Sequence, residues 1–381
     1  MKITGIICEY NPLHLGHKKQ IDHIRHVNGE DSGIVCLMSG NFVQRGAPAI
    51  VDKMHRAKAA VLSGADLVLE LPVTCVLSSA EGFASGGVSI LSGFCDALCF
   101  GAETANPESF MNIARNLLTE EFSHILKKHL ELGISFPAAR EAALSEIGCD
   151  ASVIRTPNNI LAVEYCKAIL AQNSSMKPMP ILRQGSYHDT LPDPDNPSAT
   201  AVRALMVEGG WERYVPEEAV ACFKDAPLHV LSAGERAILM RLRTMTDKEF
   251  EALPYGSEGL WRKFMHASRK ESTVEAILTA VKSKRYTRTR LGRMLLCALL
   301  AISEADLHQQ VPYVRGLAFN DRGREILKQA RYHLPVINIG QPADHPYATL
   351  EQRCDNLYGL FCASQPEPPG VNSAYRVFYQ S

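Results

Sequence analysis

The most constraining feature of this chain lies in its first eighteen residues. An apolar run, Ile3–Cys8, is followed by Asn11-Pro12-Leu13-His14-Leu15-Gly16-His17. This order predicts a β-strand, a tight turn and the start of an α-helix. The first N–H groups of a helix lack partners and lie at the positive end of the helix dipole, so a helix start behind a strand is a binding site for anions.

The residues at this predicted helix start suit the phosphates of a nucleotide. Gly16 lets the backbone approach a phosphate closely. Imidazoles can donate hydrogen bonds to an α-phosphate whose charge grows as pyrophosphate leaves, so we predict that His14 and His17 are catalytic by electrostatic stabilisation, with Lys18 beside them. A histidine nucleophile, a pair of capping histidines without a ligand, and a zinc site are the other interpretations. Structural zinc usually needs four ligands and no cysteine lies at metal spacing, so we predict no metal-ligand set.

The first half of the chain predicts an α/β, Rossmann-like fold with a parallel, doubly wound sheet. Amphipathic stretches, such as His17–Arg25 and Lys53–Ser63, alternate with short apolar runs, and strands separated by helices pair in parallel. The candidate strands are Ile3–Cys8, Ile34–Met38, Leu67–Leu71, Ala97–Phe100 and Pro180–Arg183. Ligands bind beyond the carboxyl ends of such strands, which is where the turn with His14 and His17 falls.

The length of 381 residues predicts two domains. Strand–helix alternation stops near residue 210 and helical patterns dominate afterwards. We therefore predict an α/β domain at 1–210 and a mainly α-helical C-terminal domain at 211–381. Two short apolar runs in the latter, Val311–Phe319 and Pro335–Ile339, are candidate strands.

Composition narrows the class of protein. The chain is 46% hydrophobic and 21% charged with a net charge of −1, which is typical of a globular protein and gives no global basic field. Its 11 cysteines are odd in number and form no C-x-x-C pair, as expected of reduced thiols in a cytoplasmic protein. We see no secretory leader and no apolar stretch near the ~20 residues that a membrane span needs, so we expect no membrane partner.

A second candidate phosphate site is Ser198-x-Thr200-x-x-Arg203. Hydroxyls and amides at a helix start, with a cation one turn inside the helix, suit β- and γ-phosphates. An ordinary helix capped by Ser198 is the alternative. We predict the phosphate site because the first motif needs partners of this kind.

Polar residues also follow other predicted strands. The segment Ser39–Gly46 could line a substrate pocket, although a surface turn explains its glycines equally well. At Cys99–Glu103, Gly101 would let an adenine lie against the backbone. Asparagine amides at Asn158 and Asn159, with Arg183 and Gln184 after a strand, could recognise a base or ribose, although asparagines also cap helices.

One basic segment stands out in this near-neutral chain. Its cations, with Tyr286 among them, are Lys282, Lys284, Arg285, Arg288, Arg290 and Arg293. Contact with an RNA phosphate backbone is the functional interpretation. A solvated helix end is the alternative, because lysine and arginine favour helix C-termini.

The motifs together resemble a known family. H-x-G-H and S-x-T-x-x-R, with Ala199 at the second position, are similar to the two signatures of the nucleotidyltransferase superfamily. More closely, the chain resembles the bacterial tRNA(Met) cytidine acetate ligases. The matching segments are GIICEYNPLHLGHK (5–18), SGNFVQRGAP (39–48), GADLVLELP (64–72), FGAE (100–103), PNNIL (157–161), YHD (187–189) and KRYTRTR (284–290).

The resemblance implies an activity that spacing alone does not. Such enzymes activate acetate with ATP as acetyl-adenylate and then acylate N4 of the wobble cytidine in elongator tRNA(Met). It implies that the segment Ile7–Gln20, with Gly101, Asn158, Asn159 and Arg183, lines the ATP site, and that the basic segment holds tRNA. Magnesium is expected with ATP, without a protein ligand that we can name, and the oligomeric state is open.

With the residues inferred from spacing, the predicted ATP-binding set is Ile7, Cys8, Glu9, Tyr10, Asn11, Pro12, Leu13, His14, Leu15, Gly16, His17, Lys18, Lys19, Gln20, Gly101, Asn158, Asn159, Arg183, Gln184, Ser198, Thr200 and Arg203. Two alternatives stay open at this point. One is another adenylate-forming enzyme that acts on a small cofactor precursor. The other is a non-catalytic RNA-binding protein with a relic nucleotide site.

Overall fold

The computed structural model describes residues 1–183, 193, 196–283, 285–330, 334–370 and 374–381. The strands are β1 (Ile3–Cys8), β2 (Gly33–Ser39), β3 (Phe42–Val43), β4 (Ala47–Pro48), β5 (Leu67–Leu71), β6 (Ala97–Ala102), β7 (Lys177–Leu182), β8 (Val314–Asn320), β9 (Val336–Asn338) and β10 (Phe378–Gln380).

Helices connect these strands and form most of the rest of the described chain. They are α1 (Leu15–Asn28), α2 (Lys53–Leu62), α3 (Val73–Val76), α4 (Ala80–Leu91), α5 (Pro107–Leu117), α6 (Glu120–Glu131), α7 (Phe136–Glu146), α8 (Pro157–Ala171), α9 (Ala199–Glu208), α10 (Glu217–Phe223), α11 (Glu235–Thr244), α12 (Asp247–Glu251), α13 (Leu260–Lys270), α14 (Val274–Val281), α15 (Arg288–Leu300), α16 (Glu304–His308), α17 (Asp321–Gln329) and α18 (Tyr347–Tyr358). Among the described residues, no helix combines the length and the apolar character that crossing a membrane requires.

The main sheet has the order β10-β8-β5-β2-β1-β6-β7, with β9 also paired to β8. The pairs among β5, β2, β1, β6 and β7 are parallel, as predicted. The predicted strand Pro180–Arg183 instead begins at Lys177 and ends at Leu182. Pro178 and Pro180 lack a backbone N–H, and the strand accommodates them because β7 lies at the sheet edge.

The sheet also contains strands from the second half of the chain. The candidate strand Val311–Phe319 overlaps β8, which ends at Asn320, and Pro335–Ile339 contains β9. Strand β8 pairs with β5 in antiparallel orientation, so the sheet is mainly rather than wholly parallel. The division at residue 210 stays a prediction, but the main sheet itself draws on both segments.

Apolar side chains cover both faces of the sheet. In β2, Val35 and Leu37 pack into one core, which also contains residues of α4, α5 and α8. Ile34, Cys36 and Met38 pack into the opposite core, against α1, α2 and α10. This two-residue alternation places a fully buried strand at the centre of the sheet. A third core holds α11, α13, α14, α15 and α18 together.

A buried arginine fixes the strand ends that matter for the site. The guanidinium of Arg56 is fully buried on α2. Its Nη1 donates to the backbone oxygens of Glu9 at 2.6 Å and Ser39 at 3.1 Å, and its Nη2 donates to the oxygen of Gly40. Its Nε donates to the oxygen of Val51 at 2.7 Å. One side chain thereby satisfies carbonyls that follow both β1 and β2.

We predict that Arg56→Met lowers the free energy of unfolding by about 3 kcal/mol or more, because it leaves buried carbonyls without donors. Urea unfolding followed by circular dichroism measures this change. Arg236→Met, at an exposed position on α11, is the matched control and should stay within about 0.5 kcal/mol of the wild type. An equally small effect of both substitutions would contradict the role given to Arg56.

Candidate active site

A cavity of about 460 Å³ opens at the carboxyl ends of β1, β6 and β7. This volume lies in the range of ordinary small-molecule sites. The turn after β1 and the start of α1 form one wall, and the start of α9 forms another. The predicted position beyond the strand ends is therefore where the cavity lies.

His14 and His17 build the turn through reciprocal hydrogen bonds. Nδ1 of His14 accepts from the backbone N–H of Gly16 at 3.1 Å. Nδ1 of His17 accepts from the backbone N–H of His14 at 3.3 Å. The two rings stack with centroids 3.7 Å apart. A Cβ at position 16 would lie 3.1 Å from Cε1 of His14, so glycine is the residue that lets this ring fold back onto the helix start.

Both histidines are neutral. Burial, with help from the charges of Arg183 and Arg203, lowers the pKa of His14 from 6.5 to about 3. Burial and the neighbouring His14 lower the pKa of His17 well below its ordinary value. Because each Nδ1 accepts a hydrogen bond, the single proton of each ring is on Nε2. The pair therefore offers two N–H donors and no free acceptor nitrogen.

Arg203 reaches the same turn from α9. Ser198 caps this helix by accepting from the N–H of Ala201 at 3.1 Å, as predicted. Nη1 of Arg203 donates to the backbone oxygen of Asn11 at 2.7 Å, and its Nη2 donates to Oγ1 of Thr200 at 3.0 Å. Both acceptors are neutral, so the positive charge of Arg203 faces the cavity without being cancelled by them.

Arg183 is oriented by a chain of polar contacts. Its Nη1 donates to Oδ1 of Asn158 at 3.1 Å, and Nδ2 of Asn158 donates to Oε1 of Glu103 at 2.6 Å. Burial would raise the pKa of Glu103, but hydrogen bonds from Asn158 and Thr156 outweigh it and lower that pKa. A Cβ on Gly101 would lie 3.0 Å from Cγ of Arg183, so glycine leaves room for the arginine stem.

The remaining walls are largely apolar. They contain Gln44, from the segment Ser39–Gly46 that the sequence offers as the lining of a substrate pocket. They also contain residues outside the predicted ATP-binding set, namely His23, Phe83, Phe100, Leu161, Tyr165, Ile181, Leu182, Asn196, Pro197 and Ala199. The cavity thus has a polar end beside the histidines and an apolar part between β6, β7 and α8. This division suits a molecule with a flat ring system at one end and phosphates at the other.

Comparison with known proteins identifies the family. Residues 1–369 match the family described as HIGH Nucleotidyl Transferase. The tRNA(Met) cytidine acetate ligase of Clostridium novyi is 38% identical over 351 residues, covering 87% of this chain and 88% of the relative. The corresponding ligase of Clostridium perfringens strain SM101 is 34% identical over 403 aligned residues, covering 99% and 98%. The chain belongs to this ligase family.

Solved structures agree with this assignment. TmcAL of Thermotoga maritima in its apo form I is 29% identical, with a TM-score of 0.91 and coverage of 100% of this chain and 99% of that chain. TmcAL of the same organism bound with alpha-thio ATP is 30% identical, with a TM-score of 0.87 and full coverage of both chains. The predicted fold class is confirmed.

Most of the predicted ATP-binding residues surround the cavity of this family member. Those on its walls are Ile7, Cys8, Glu9, Tyr10, Asn11, His14, Gly16, His17, Lys19, Gln20, Gly101, Asn158, Arg183, Ser198 and Arg203. Pro12, Leu13, Leu15, Lys18, Asn159 and Thr200 are not among the cavity residues. Gln184 lies outside the described residues, and the assignment of each side chain to ATP stays a prediction.

Local contacts explain the residues that do not reach the cavity. Lys18 forms an ion pair with Asp22 one turn along α1. Leu13 is fully buried in the core. Oδ1 of Asn159 accepts from the backbone N–H of Glu103 at 2.9 Å, and Thr200 holds Arg203. These residues support the wall rather than form it.

The basic segment divides into exposed and buried cations. Arg285 pairs with Glu258, Arg288 pairs with Glu275, and all four side chains are exposed. Arg290 donates to the backbone oxygen of Tyr255 at 2.8 Å. Lys282 is exposed, and Lys284 lies outside the described residues.

Arg293 differs from the other predicted RNA-binding residues because it is only 9% exposed. Its Nη1 donates to the backbone oxygen of Gln44 at 3.2 Å, and its guanidinium lies over the ring of Tyr255. The backbone N–H of Gln44 in turn donates to Oε1 of Glu9 at 2.9 Å. Arg293, the buried residue of the basic segment, therefore contacts Gln44, which lies on the cavity wall.

One group of possible metal ligands occurs among the described residues, away from the cavity walls. It consists of His229, Cys362 and Glu367. Nε2 of His229 lies 3.2 Å from Oε2 of Glu367, so these two side chains already engage each other. On the described cavity walls, Cys8 is the cysteine that accompanies His14 and His17. Burial raises the pKa of its thiol well above the ordinary value, so it does not readily form the thiolate that binds a metal.

We predict that the wild type loses stability relative to His14→Gln as the pH falls. In the unfolded chain His14 takes up a proton below pH 6.5, whereas the folded chain resists protonation down to about pH 3. The penalty is therefore absent above pH 6.5 and grows below it, reaching about 2 kcal/mol at pH 5. Urea unfolding at pH 7 and pH 5 measures it, with His26→Gln on the exposed face of α1 as the control. A constant difference between wild type and His14→Gln would contradict the neutral state.

Proposed function

We propose that this protein is an ATP-dependent ligase that activates acetate as acetyl-adenylate, releases pyrophosphate, and transfers the acetyl group to N4 of the wobble cytidine of elongator tRNA(Met). The observation that carries the proposal is the pair of neutral histidines beside Arg183 and Arg203, in a chain of the tRNA(Met) cytidine acetate ligase family. We place the reaction in the cytoplasm, consistent with eleven cysteines that are all free.

The two parts of the cavity suit the two parts of ATP. The adenine would lie in the apolar part, against Gly101 and between Phe100 and Leu161. The phosphates would lie at the polar end, where Nε2–H groups, the start of α1 and two guanidinium groups converge. The N–H groups of His14 and Gly16 are already bound by the two rings, so the hydrogen bonds to the phosphates would come from Nε2–H and the guanidinium groups, with the helix dipole favouring the same negative charge.

The histidines would act at the α-phosphate. An acetate oxygen attacks this phosphorus and the bond to pyrophosphate breaks, so negative charge builds on the phosphoryl oxygens. Neutral N–H donors fixed by the backbone can stabilise this charge without reorganising. No side chain has to act as a nucleophile. Each Nδ1 already accepts one backbone N–H, so the rings have no free lone pair for that role.

Magnesium would accompany the triphosphate. Mg²⁺ takes most of its ligands from phosphates and water and usually one or two from protein carboxylates. Among the described cavity residues the carboxylate is Glu9 alone. The described walls therefore offer no dedicated magnesium cage, and we assign no step to the metal.

The transfer step needs tRNA next to the cavity. Arg285 lies just before α15 and Arg288 in its first turn, both with exposed side chains, and Arg293 of the same helix contacts the loop that borders the cavity. Phosphate contacts by the exposed arginines would hold the tRNA on that side of the site. The basic segment is the feature that favours an RNA substrate over a small cofactor precursor.

We predict that His14→Asn and His17→Asn each lower the rate of acetylcytidine formation by ~10²–10³, the loss typical of one removed oxyanion donor. The assay combines protein, ATP, labelled acetate and elongator tRNA(Met), with mass analysis of the nucleosides. His26→Asn on the exposed face of α1 is the matched control. Absence of acetylcytidine with the wild type would refute the proposed activity, and unchanged rates in both variants would refute the role of the histidines.

We also predict that the double substitution Arg285→Gln, Arg288→Gln weakens tRNA binding and reduces its salt dependence. Each lost phosphate contact should lower the slope of log K against log salt by about 1. Filter binding at several salt concentrations measures both quantities. Lys127→Gln with Lys128→Gln, which removes two exposed charges from α6, is the control. Equal slopes for the two double variants would remove this segment from the RNA interface.

A further inference from the structure

Glu9 is a carboxylate in a cavity that has to accept anions. It directly follows β1 and lines the cavity wall. ATP and acetate are both negative, so a carboxylate at this place opposes their binding. Among the described residues Glu9 is the one carboxylate on the wall, and it takes part in none of the ion pairs that those residues form. Burial lowers the pKa values of Arg203 and Arg56, and the charge of Glu9 opposes this lowering, but Glu9 forms a close ion pair with neither.

Several contacts hold Glu9 in one orientation. Its backbone oxygen accepts from Nη1 of Arg56 at 2.6 Å, and its Oε1 accepts from the N–H of Gln44 at 2.9 Å. The next residue, Tyr10, has a φ of 43°, a conformation that bulky residues rarely adopt. No hydrogen bond among the described residues engages Oε2 of Glu9. The carboxylate is thus fixed at one oxygen and available at the other.

The other titratable groups of the wall are poor proton acceptors. His14 and His17 use Nδ1 as an acceptor from the backbone and carry their proton on Nε2. Burial raises the pKa of Tyr10 and of Tyr165, so neither phenol ionises readily. Glu103 is not on the wall, and its carboxylate already accepts from Thr156, Asn158 and the N–H of Asn159. His23, an exposed imidazole at the rim, is the one rival.

We propose that Glu9 binds the exocyclic amino group of the incoming cytosine and accepts its proton during acetyl transfer. This inference rests on the proposed function and adds a residue to its second step. As N4 attacks the acetyl carbonyl, a C–N bond forms and a proton of N4 passes to Oε2 of Glu9. The bond between the carbonyl carbon and the phosphate oxygen breaks, and AMP leaves with that electron pair. The proton then returns from Glu9 to solvent.

The same geometry selects the base. Cytosine presents an N4 amino group, a donor that carboxylates accept from, whereas uracil presents an O4 acceptor at that position. A carboxylate oxygen and O4 of uracil are both hydrogen-bond acceptors, so they repel each other because neither supplies a proton. Glu9 would therefore favour cytosine before any chemistry takes place, at the atom where the acetyl group is added.

The position of Glu9 also connects it with the basic segment. The N–H of Gln44 holds Oε1 of Glu9, and the oxygen of the same residue accepts from Arg293. Arg293 lies on α15, whose first turn carries the exposed Arg288. We assign Arg293 as a positioning residue, since it contacts the loop that orients the carboxylate and does not itself face the cavity wall.

Glu9→Gln tests this inference because glutamine keeps the shape and can still accept from Gln44. Acetate-dependent exchange of labelled pyrophosphate into ATP follows the first step alone. Single-turnover acetylation of tRNA by preformed acetyl-adenylate follows the second. We expect transfer to slow by ~10²-fold or more, the usual contribution of a general base, and exchange to fall by much less than transfer. Thermal unfolding of each variant checks that it is folded.

The matched variants are His23→Asn, which removes the rival base, and Glu30→Gln, an exposed carboxylate after α1. Glu30→Gln should keep both steps, and transfer by His23→Asn should fall by less than transfer by Glu9→Gln. Loss of exchange and transfer together in Glu9→Gln would assign the carboxylate to ATP or metal binding and overturn the inference, as would normal transfer. Loss of transfer in His23→Asn alone would assign the proton to that imidazole. Absence of exchange in the wild type would instead contradict the proposed function.

Discussion

Two reciprocal hydrogen bonds between imidazole rings and one backbone turn are the constraint on which the rest of this site depends. The rings of His14 and His17 cap α1 through their Nδ1 atoms, and this use of Nδ1 decides which nitrogen keeps the proton. The same hydrogen bonds that cap the helix also determine the chemistry of the rings. Because Nδ1 is used by the backbone, the Nε2–H groups are left as the donors that we propose for the α-phosphate. Burial then keeps both rings neutral, so they donate without adding positive charge. A lysine pair at these positions could not reproduce this arrangement, because an ammonium group has no acceptor to offer the backbone.

Backbone contact joins the basic helix to the cavity. Gly46 has a φ of 78°, and a Cβ placed on it would lie 2.2 Å from the carbonyl carbon of Gly292. The loop that carries Gln44 is therefore pressed against α15 where any side chain would separate them. On the other side, Arg56 holds the carbonyls of Glu9, Ser39 and Gly40. A displacement of α15 would therefore move the loop that carries Gln44, because backbone contacts at Gly46 and Gly292 leave no side chain between the two segments.

The sequence predicted what depends on local order and left open what depends on distant pairing. The strand–turn–helix at the N-terminus and the cap by Ser198 follow from residues a few positions apart, and both are found in the structure. The antiparallel pairing of β8 with β5 joins residues about 250 positions apart, and no local pattern indicates it. Some apolar residues of α4 and α8, namely Phe83, Leu161 and Tyr165, are of types expected in a hydrophobic core. Only the packing of these helices against the sheet shows that they face a cavity. The sequence also does not indicate that Arg293 is buried while neighbouring cations are exposed. Its partner is the backbone oxygen of Gln44, and such an acceptor leaves no signature in the residue types.

The cations of the two predicted binding regions differ in how they are balanced. In the cavity, Arg183 and Arg203 donate to an amide oxygen, a backbone oxygen and a hydroxyl, and among the described residues neither forms an ion pair. Their charge is available to a phosphate without breaking a salt bridge. On the basic segment, Arg285 and Arg288 are already paired with exposed Glu258 and Glu275. Exposed pairs of this kind contribute little, so a phosphate can displace the carboxylates, but each contact gains less than a free arginine would give. The proposed nucleotide site thus holds its two arginines ready for a phosphate, whereas at the proposed RNA surface a phosphate would first have to displace a glutamate.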